Sequence, residues 1–241
     1  MVKSVITQQD KWEEYARIID TKTSSKSATF TLTVEHTLQL LGDKREGIVL
    51  DVGCGFGEID ILLAKMSNFK IIGCDVSKIC VEKARGNVKS SGMGGRIKIE
   101  EGSVYALPYP DEYFDVVVSF GYASAATYKG AQDEVRRVLK PGGLLVCDFI
   151  NLLSVYKIMN APARWKRLTR EEGKHYNTLT MRGIREYFQR YNLKLISQRL
   201  FNTYPPMNFL PPQSLIFFDK TIGRVASYVL GRVRIVCFQK I

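Results

Sequence analysis

Histidine is nearly missing from this chain: His36 and His175 are the only two among 241 residues. A reaction that needs an imidazole base would have to use one of them. His36 falls on an expected helix, where a lone histidine is more often structural or exposed than catalytic. No Ser/His/Asp set is evident, and no His/Cys/Asp group has metal-ligand spacing. Triad chemistry and a bound metal are therefore not expected. The five cysteines, Cys54, Cys74, Cys80, Cys147 and Cys237, contain no C-x-x-C pair. Buried free thiols in a reducing cytoplasm are expected, not structural zinc. No apolar run approaches the ~20 residues needed to cross a bilayer. Residues 1–20 are polar and contain acids, and do not read as a signal peptide. A cytoplasmic protein is the expectation.

Charge is present in quantity but unevenly placed. Residues 1–150 carry 19 Lys and Arg against 20 Asp and Glu, whereas residues 151–241 carry 16 against 4. The first part is near neutral and the second strongly basic. Such asymmetry points to an anionic partner: a nucleic acid, a membrane surface or an acidic small molecule. A plain solvated basic surface is the alternative. The length suits one α/β unit with a full core and some added cover.

The stretch that organises the chain is residues 48–59, IVLDVGCGFGEI. Its first four residues form a compact β-branched run and read as a buried strand. Gly53, Gly55 and Gly57 follow, then an apolar run that reads as a helix. Strand, glycine turn and helix bring backbone N–H groups close to a ligand, because glycine accepts positive φ and carries no Cβ. The helix N-terminus adds a partial positive charge. Dinucleotide binders use G-x-G-x-x-G here. The third glycine of that pattern is Glu58 in this chain, and its carboxylate would oppose a pyrophosphate. The spacing is instead Asp-x-Gly-x-Gly-x-Gly, starting from Asp51.

The remaining pattern alternates strand and helix. Residues 8–20 read as a helix with Trp12, Tyr15, Ala16 and Ile19 on one face. Residues 21–31, rich in Ser, Thr and Lys, read as a loop, and a second helix carries Leu32, Leu38, Leu40 and Leu41 to Gly42. Residues 69–74 are a second strand ending at Asp75, an acid placed to accept ribose hydroxyls. Residues 76–88 are a helix and 96–102 a third strand. Residues 114–119 are a fourth strand, apolar throughout as in a parallel sheet. A helix around 132–139 stops at Lys140-Pro141-Gly142-Gly143, and residues 144–150 are a fifth strand. Residues 151–177 are basic and aromatic. Thr180 is placed to cap a helix that runs to Tyr191. Residues 193–203 are a sixth strand, 204–212 hold four prolines, 214–230 read as an amphipathic helix and 232–239 as a seventh strand.

The Asp51–Gly57 spacing resembles motif I of the class I S-adenosylmethionine (SAM) methyltransferases. Two further stretches are similar to that family. Gly102, Leu107, Pro108, Phe114, Asp115 and Val117 match its G-D/N-A-x-x-L-P-F…F-D-x-V run. Arg137, Leu139, Lys140, Pro141, Gly142 and Gly143 match its R-x-L-K-P-G-G run. The closest general likeness is to the small-molecule enzymes that include quinone and sterol methyltransferases. The resemblance covers residues 48–150 well and the last strands in outline. It implies a Rossmann-like seven-stranded, mostly parallel sheet with helices on both faces and a helical cap. It implies one domain over 1–241, with N-terminal helices or a lid at 1–46 and a SAM-binding core at 47–150. A cap insertion and helix at 151–192 and final strands and helix at 193–241 complete it.

SAM is the implied cofactor, with S-adenosylhomocysteine as product. The residues expected around it are Asp51, Gly53, Cys54, Gly55, Gly57, Asp75, Val76, Gly102, Ser103, Val104, Ser119 and Phe120. Ser103 stands where the family commonly has a carboxylate or amide for the adenine amino group. Its hydroxyl is a weaker substitute, so backbone groups at Ser103 and Val104 are expected to share the contact. Candidates for the acceptor pocket are Tyr122, His175, Tyr176 and Tyr204. The Asn-Pro-Pro-Tyr motif of amide and base N-methyltransferases is absent: the chain reads Ser119-Phe120-Gly121-Tyr122. Methyl transfer to a small or lipid-like acceptor, anionic or apolar, is the first expectation. An RNA methyltransferase using the basic second part is the second, and a non-catalytic SAM-fold protein that binds a partner is the third. Peripheral membrane contact fits the basic charge, and an NAD-dependent oxidoreductase is disfavoured by Glu58.

Overall fold

A computed structural model of the chain describes residues 8–18, 24–120, 130–151, 181–201, 209–221, 223 and 231–241. Among these residues the centre is a seven-stranded sheet. Its strands are β1 (Ile48–Val52), β2 (Lys70–Asp75), β3 (Ile97–Glu101), β4 (Phe114–Ser119), β5 (Leu139–Ile150), β6 (Leu193–Phe201) and β7 (Val233–Lys240). The order across the sheet is β3-β2-β1-β4-β5-β7-β6. The first five strands run parallel, and β7 lies antiparallel between β5 and β6. The mostly parallel α/β sheet expected from the sequence is present.

Alternation along the strands sorts the side chains into two layers. Val49, Ile71, Val116, Val118 and Val146 face one layer. It is covered by α2 (Ser24–Leu40), α3 (Glu58–Met66), α4 (Lys78–Ser90) and α7 (Pro212–Lys220). Leu50, Val117, Leu145 and Cys147 face the other, under α5 (Ala131–Val138) and α6 (Met181–Gln189). The central strands read as unbroken apolar runs because both of their faces are covered. A further helix, α1 (Gln8–Ile18), packs on α4. All five cysteines are free and buried. No helix among the described residues is long and apolar enough to cross a membrane.

Three expectations need correction. Residues 21–31 were expected as a loop, but α2 begins at Ser24. Ala28 and Leu32 are fully buried one turn apart, which secures the helix. The Thr31 hydroxyl donates to the Ser27 carbonyl at 3.1 Å and the Thr37 hydroxyl to the Thr33 carbonyl at 2.7 Å. Hydroxyls bonded back one turn in this way ride inside a helix without a loop to serve them. The amphipathic helix expected at 214–230 starts earlier, at Pro212, and is interrupted at Thr221, while residue 223 is again helical. Pro212 occupies the first helical position, where its missing N–H is no loss. The helix stops at Lys220, and Thr221 leaves helical geometry with ψ −89°. Residues 224–230 lie outside the described residues.

The fifth strand begins at Leu139, not at Leu144. Phe114 pairs with Leu139, and the next pair is Val116 with Leu144. Residues 140–143 therefore bulge from the ladder, with Gly142 at φ +72°. The expected cap at 151–177, with Thr180, lies outside the described residues except for Asn151. The proline stretch 204–212 is described only from Phe209.

The Phe188 ring of α6 is fully buried, stacks on Phe238 of β7 at 4.3 Å and meets Phe149 of β5 edge-on at 6.2 Å. Phe188→Ala should cost about 3–5 kcal/mol of stability through lost burial and the cavity left behind. Phe217 is 67% exposed, and Phe217→Ala should stay within about 0.5 kcal/mol of the parent. Urea unfolding midpoints measure both.

Candidate functional site

The strand order reverses direction between β1 and β4, so a crevice opens at the carboxyl ends of those strands. The glycine turn lies there. Gly53, Gly55 and Gly57 have φ of +80°, +58° and +76°, which a Cβ-bearing residue adopts only with strain. The N–H groups of Gly53 and Cys54 both donate to the Cys74 carbonyl, at 2.7 and 3.2 Å. The turn is thereby tied to the end of β2. The glycines do different work. A Cβ on Gly57 would press on Ala84 of α4 at 3.4 Å, whereas a Cβ on Gly55 would meet nothing within 4 Å. Gly57 permits helix packing, and Gly55 borders open space.

Asp75 closes the turn from the other side. One carboxylate oxygen accepts the Gly55 N–H at 2.9 Å and the other accepts the Ser77 N–H at 2.9 Å. Burial raises the pKa of this carboxyl, and the N–H groups of Ser77 and Gly55 act against that rise. A carboxylate has about four acceptor positions, so two remain after these bonds. Val76 follows, half-buried. Ser77 caps α4 by accepting the Cys80 N–H at 3.2 Å. Glu13 of α1 accepts the Lys78 N–H at 2.7 Å. That contact brings α1 to the same side as the crevice.

The other expected residues divide by what they already touch. Gly102 donates its N–H to the Asp75 carbonyl at 3.0 Å. A Cβ there would lie 2.7 Å from the Cys74 sulfur, so the neighbouring thiol requires glycine at this point. The Ser103 hydroxyl accepts the Tyr105 N–H at 3.3 Å, and Ser103 bridges to Ala106 through the backbone. Its side chain thus serves its own turn. Val104 is buried beneath it. Ser119 is fully buried and donates its hydroxyl proton to the Val52 carbonyl at 2.6 Å. It locks the ends of β1 and β4 at the crevice floor. Phe120 is half-buried against the core. Burial pushes the Cys54 thiol well up, which keeps it an inert packing group.

Tyr122, His175, Tyr176 and Tyr204 lie outside the described residues. His36 is on α2, its ring tilted against Phe201 at 4.8 Å and bonded through Nδ1 to Gln39 at 3.1 Å. Burial lowers its pKa. It is a packing histidine between α2 and β6, as expected.

Two motif residues turn out to be struts. Asp115 sits at the amino end of β4, opposite to the crevice. It accepts the Ile48 N–H at 2.9 Å and pairs with Lys140 at 3.0 Å and Lys44 at 3.6 Å. Burial raises its pKa, but these donors outweigh that and hold it below the usual carboxylate range. Arg137 clamps residues 107–111. Its guanidinium donates to the carbonyls of Leu107 and Tyr109 at 2.9 and 2.8 Å and to Asp111 at 2.8 Å. Glu134 steadies Arg137 at 2.7 Å and accepts the Leu107 N–H at 2.8 Å. So the arginine of one motif holds the Leu-Pro turn of another.

Sequence reasoning passed over Asp60. It lies in the first turn of α3 and is 1% exposed, on the same face as buried Leu63 and Ala64. An acid at i with apolar residues at i+3 and i+4 is the signal that could have found it. It faces Asp51, itself 2% exposed, and burial raises the pKa of both carboxyls.

Residues 49–143 match the methyltransferase domain family. The demethylmenaquinone methyltransferase of Bacillus velezensis is 34% identical over 116 residues, 47% of this chain and 49% of that protein. The sterol 24-C-methyltransferase of Pneumocystis carinii is 32% identical over 112 residues, 46% of this chain and 30% of its own length. The chain therefore spans about half or less of these curated relatives. A methyltransferase solved with the Haloferax volcanii Trm112 methyltransferase activator has the same fold, at TM-score 0.66 and 18% identity. That match covers 97% of this chain and 99% of the other. Residues 49–143 are thus similar to a methyltransferase domain, and the whole chain shares the fold of the solved structure. The sequence relatives include quinone and sterol methyltransferases.

Arg137→Lys keeps the charge but loses the planar fork that reaches several acceptors at once. It should lower stability by about 1–2 kcal/mol. Hydrogen exchange should show faster opening at the Leu107 amide, with β1 and β2 protected as in the parent.

Proposed function

We propose that this protein transfers a methyl group from SAM to a small-molecule or lipid-like acceptor. The single observation that carries this reading is the open space at Gly55, bounded by the glycine turn, Asp75 and the end of β1. A Cβ at Gly55 would project into it, and no phosphate-binding third glycine is present to suit a dinucleotide. The quinone and sterol relatives support a small, apolar acceptor. SAM supplies the chemistry itself: a methyl group on a positively charged sulfur, open to in-line displacement.

The chain's own residues bind and orient. The free acceptor positions on Asp75 suit the ribose hydroxyls, and the Gly55 N–H that Asp75 holds fixes the turn beside them. Gly53, Cys54, Gly55 and Gly57 form the backbone wall. Asp51 supplies negative potential for the cationic amino-acid end. Gly102, Ser103 and Val104 flank the adenine side through their backbone. Ser119 and Phe120 end β4 beside the reacting methyl, and exclusion of water there favours the displacement. The acceptor site is assigned to the elements after β4 and β5.

A second reading, methyl transfer to RNA, is favoured by the 16 Lys and Arg against 4 acids in residues 151–241. Counterion release separates the two. Activity on RNA should fall steeply between 50 and 200 mM salt, by about a thousandfold or more if six phosphates are held, whereas activity on a neutral quinone should change little.

Calorimetric titration tests the cofactor. The parent should bind SAM and not NADH. Asp75→Ala should weaken SAM binding by about 10–100-fold for each ribose hydroxyl bond lost, because a hydrogen bond to a charged group is worth about 1.5–3 kcal/mol. Gly55→Val should abolish binding by filling the space. Parent-like SAM binding in both variants would refute the assigned site.

A further inference from the structure

Asp51, which the binding scheme above uses, is buried beside Asp60, which it does not. Asp51 ends β1 next to the glycine turn; Asp60 enters from α3 behind it. Both are at least 98% buried. Oδ1 of Asp51 and both carboxylate oxygens of Asp60 accept no hydrogen bond from any described donor. The two carboxyls lie within hydrogen-bonding reach of each other. Asp60 is fixed from below by Gly73 of β2. A Cβ at Gly73 would fall 2.8 Å from Asp60 Oδ2 and 3.1 Å from the Cys54 Cβ, so a glycine makes the room that this carboxyl fills.

Two buried carboxylates in contact, with three of their four oxygens lacking a donor, are not both ionised without a large cost. One shared proton resolves the conflict, because an O–H on one acid donates to the anion of the other. Such a pair titrates as a unit. The groups that bear on it are acidic or neutral. Asp75 of β2 and Asp148 of β5 act on Asp51, and Glu58 of α3 acts on Asp60. The Cys54 thiol borders both acids, and Glu13 of α1 reaches the cluster only through Asp75. Burial and these neighbours favour retention of the proton in the ligand-free protein.

We infer that Asp60 is a positioning residue for the cofactor's cationic amino-acid end. It shares one proton with Asp51 when the site is free, and the pair yields that proton to solvent as the cation docks against Asp51. This rests on the SAM reading above. No bond is made or broken except O–H. The pair passes from one negative charge to two, the proton goes to the buffer, and the incoming ammonium is unchanged. The consequence is that affinity for SAM is tied to pH through a group that the ligand does not touch.

The test is calorimetric titration of SAM into the parent and Asp60→Asn from pH 6 to 8.5, in two buffers of different ionisation enthalpy. Asparagine keeps the volume and a hydrogen-bond donor to Asp51 but cannot share a proton. The parent should release a fraction of a proton per SAM near neutral pH, on the order of 0.3–0.8. Asp60→Asn should release none beyond the ligand's own exchange, which the comparison subtracts. The ratio of parent to variant affinity should rise with pH, by up to about tenfold per unit. A merely structural Asp60 would shift affinity equally at every pH.

Thermal melting of the ligand-free proteins checks the pair itself. A carboxyl pKa raised on folding means that the native state holds more protons than the unfolded chain. Its stability contribution is therefore lost as pH rises from the unfolded carboxylate range towards neutral. The melting temperature of the parent should fall across that window relative to Asp60→Asn. Binding with the same proton exchange in both proteins overturns the role of Asp60 alone. Absence of SAM binding in both, with the melting difference present, overturns the cofactor reading and leaves the acid pair standing. Equal pH dependence of melting in the two proteins overturns the shared proton.

Discussion

The Asp75 carboxylate is the constraint on which the crevice depends. It ends β2, yet its two oxygens hold the Gly55 N–H of the glycine turn and the Ser77 N–H at the start of α4. A left-handed turn has few conformations that satisfy its backbone donors internally, and here an acid from the next strand satisfies one of them. The Cys74 carbonyl takes two more. Removal of water from these bonds makes them stronger, but it also makes the carboxylate costly to bury. The backbone donors offset that cost, so the acid stays available for a ligand on the same side.

The rest of the site is stacked on this arrangement in layers. Gly102 is held by the Asp75 carbonyl and stays a glycine because of the Cys74 sulfur. The turn after it is clamped by Arg137 and Glu134 from α5. Ser119 ties β4 to β1 at the floor. Each tie joins a loop at the carboxyl edge to a strand or helix that packs on the core. The opposite edge has its own fastening in Asp115, Lys140 and the Ile48 N–H. A parallel sheet with loops at one edge and ion pairs at the other lets ligand contacts vary while strand register is kept.

Beneath the turn lies an unusual concentration of acid: Asp51, Asp60 and Asp75 within one buried cluster. Lys and Arg are nearly balanced by acids in residues 1–150, and the net positive excess lies in residues 151–241. A site of this polarity suits a cationic cofactor and repels a pyrophosphate. The same conclusion came from Glu58 in the sequence, and Asp60 adds to it from within the core.

Much of the fold could be read from the chain alone. Short β-branched runs such as FDVVVS fixed β4 to the residue, and glycines at alternate positions after Asp51 marked the turn. Local signals suffice there, because period and φ are properties of a few neighbouring residues. Ser and Thr near residue 24 misled, since a hydroxyl bonded back along its own helix has the same sequence as one in a loop. What only the tertiary structure decided is which motif residues face the crevice and which are struts. Asp51, Asp75 and Asp115 all lie in β-strands of the same sheet. Strand direction and register place the first two at the carboxyl edge and the third at the far end. The Asp51–Asp60 contact likewise arises because α3 folds back over Gly73. No spacing along the chain encodes that meeting, because it depends on where a helix, a strand and a missing Cβ come together in space.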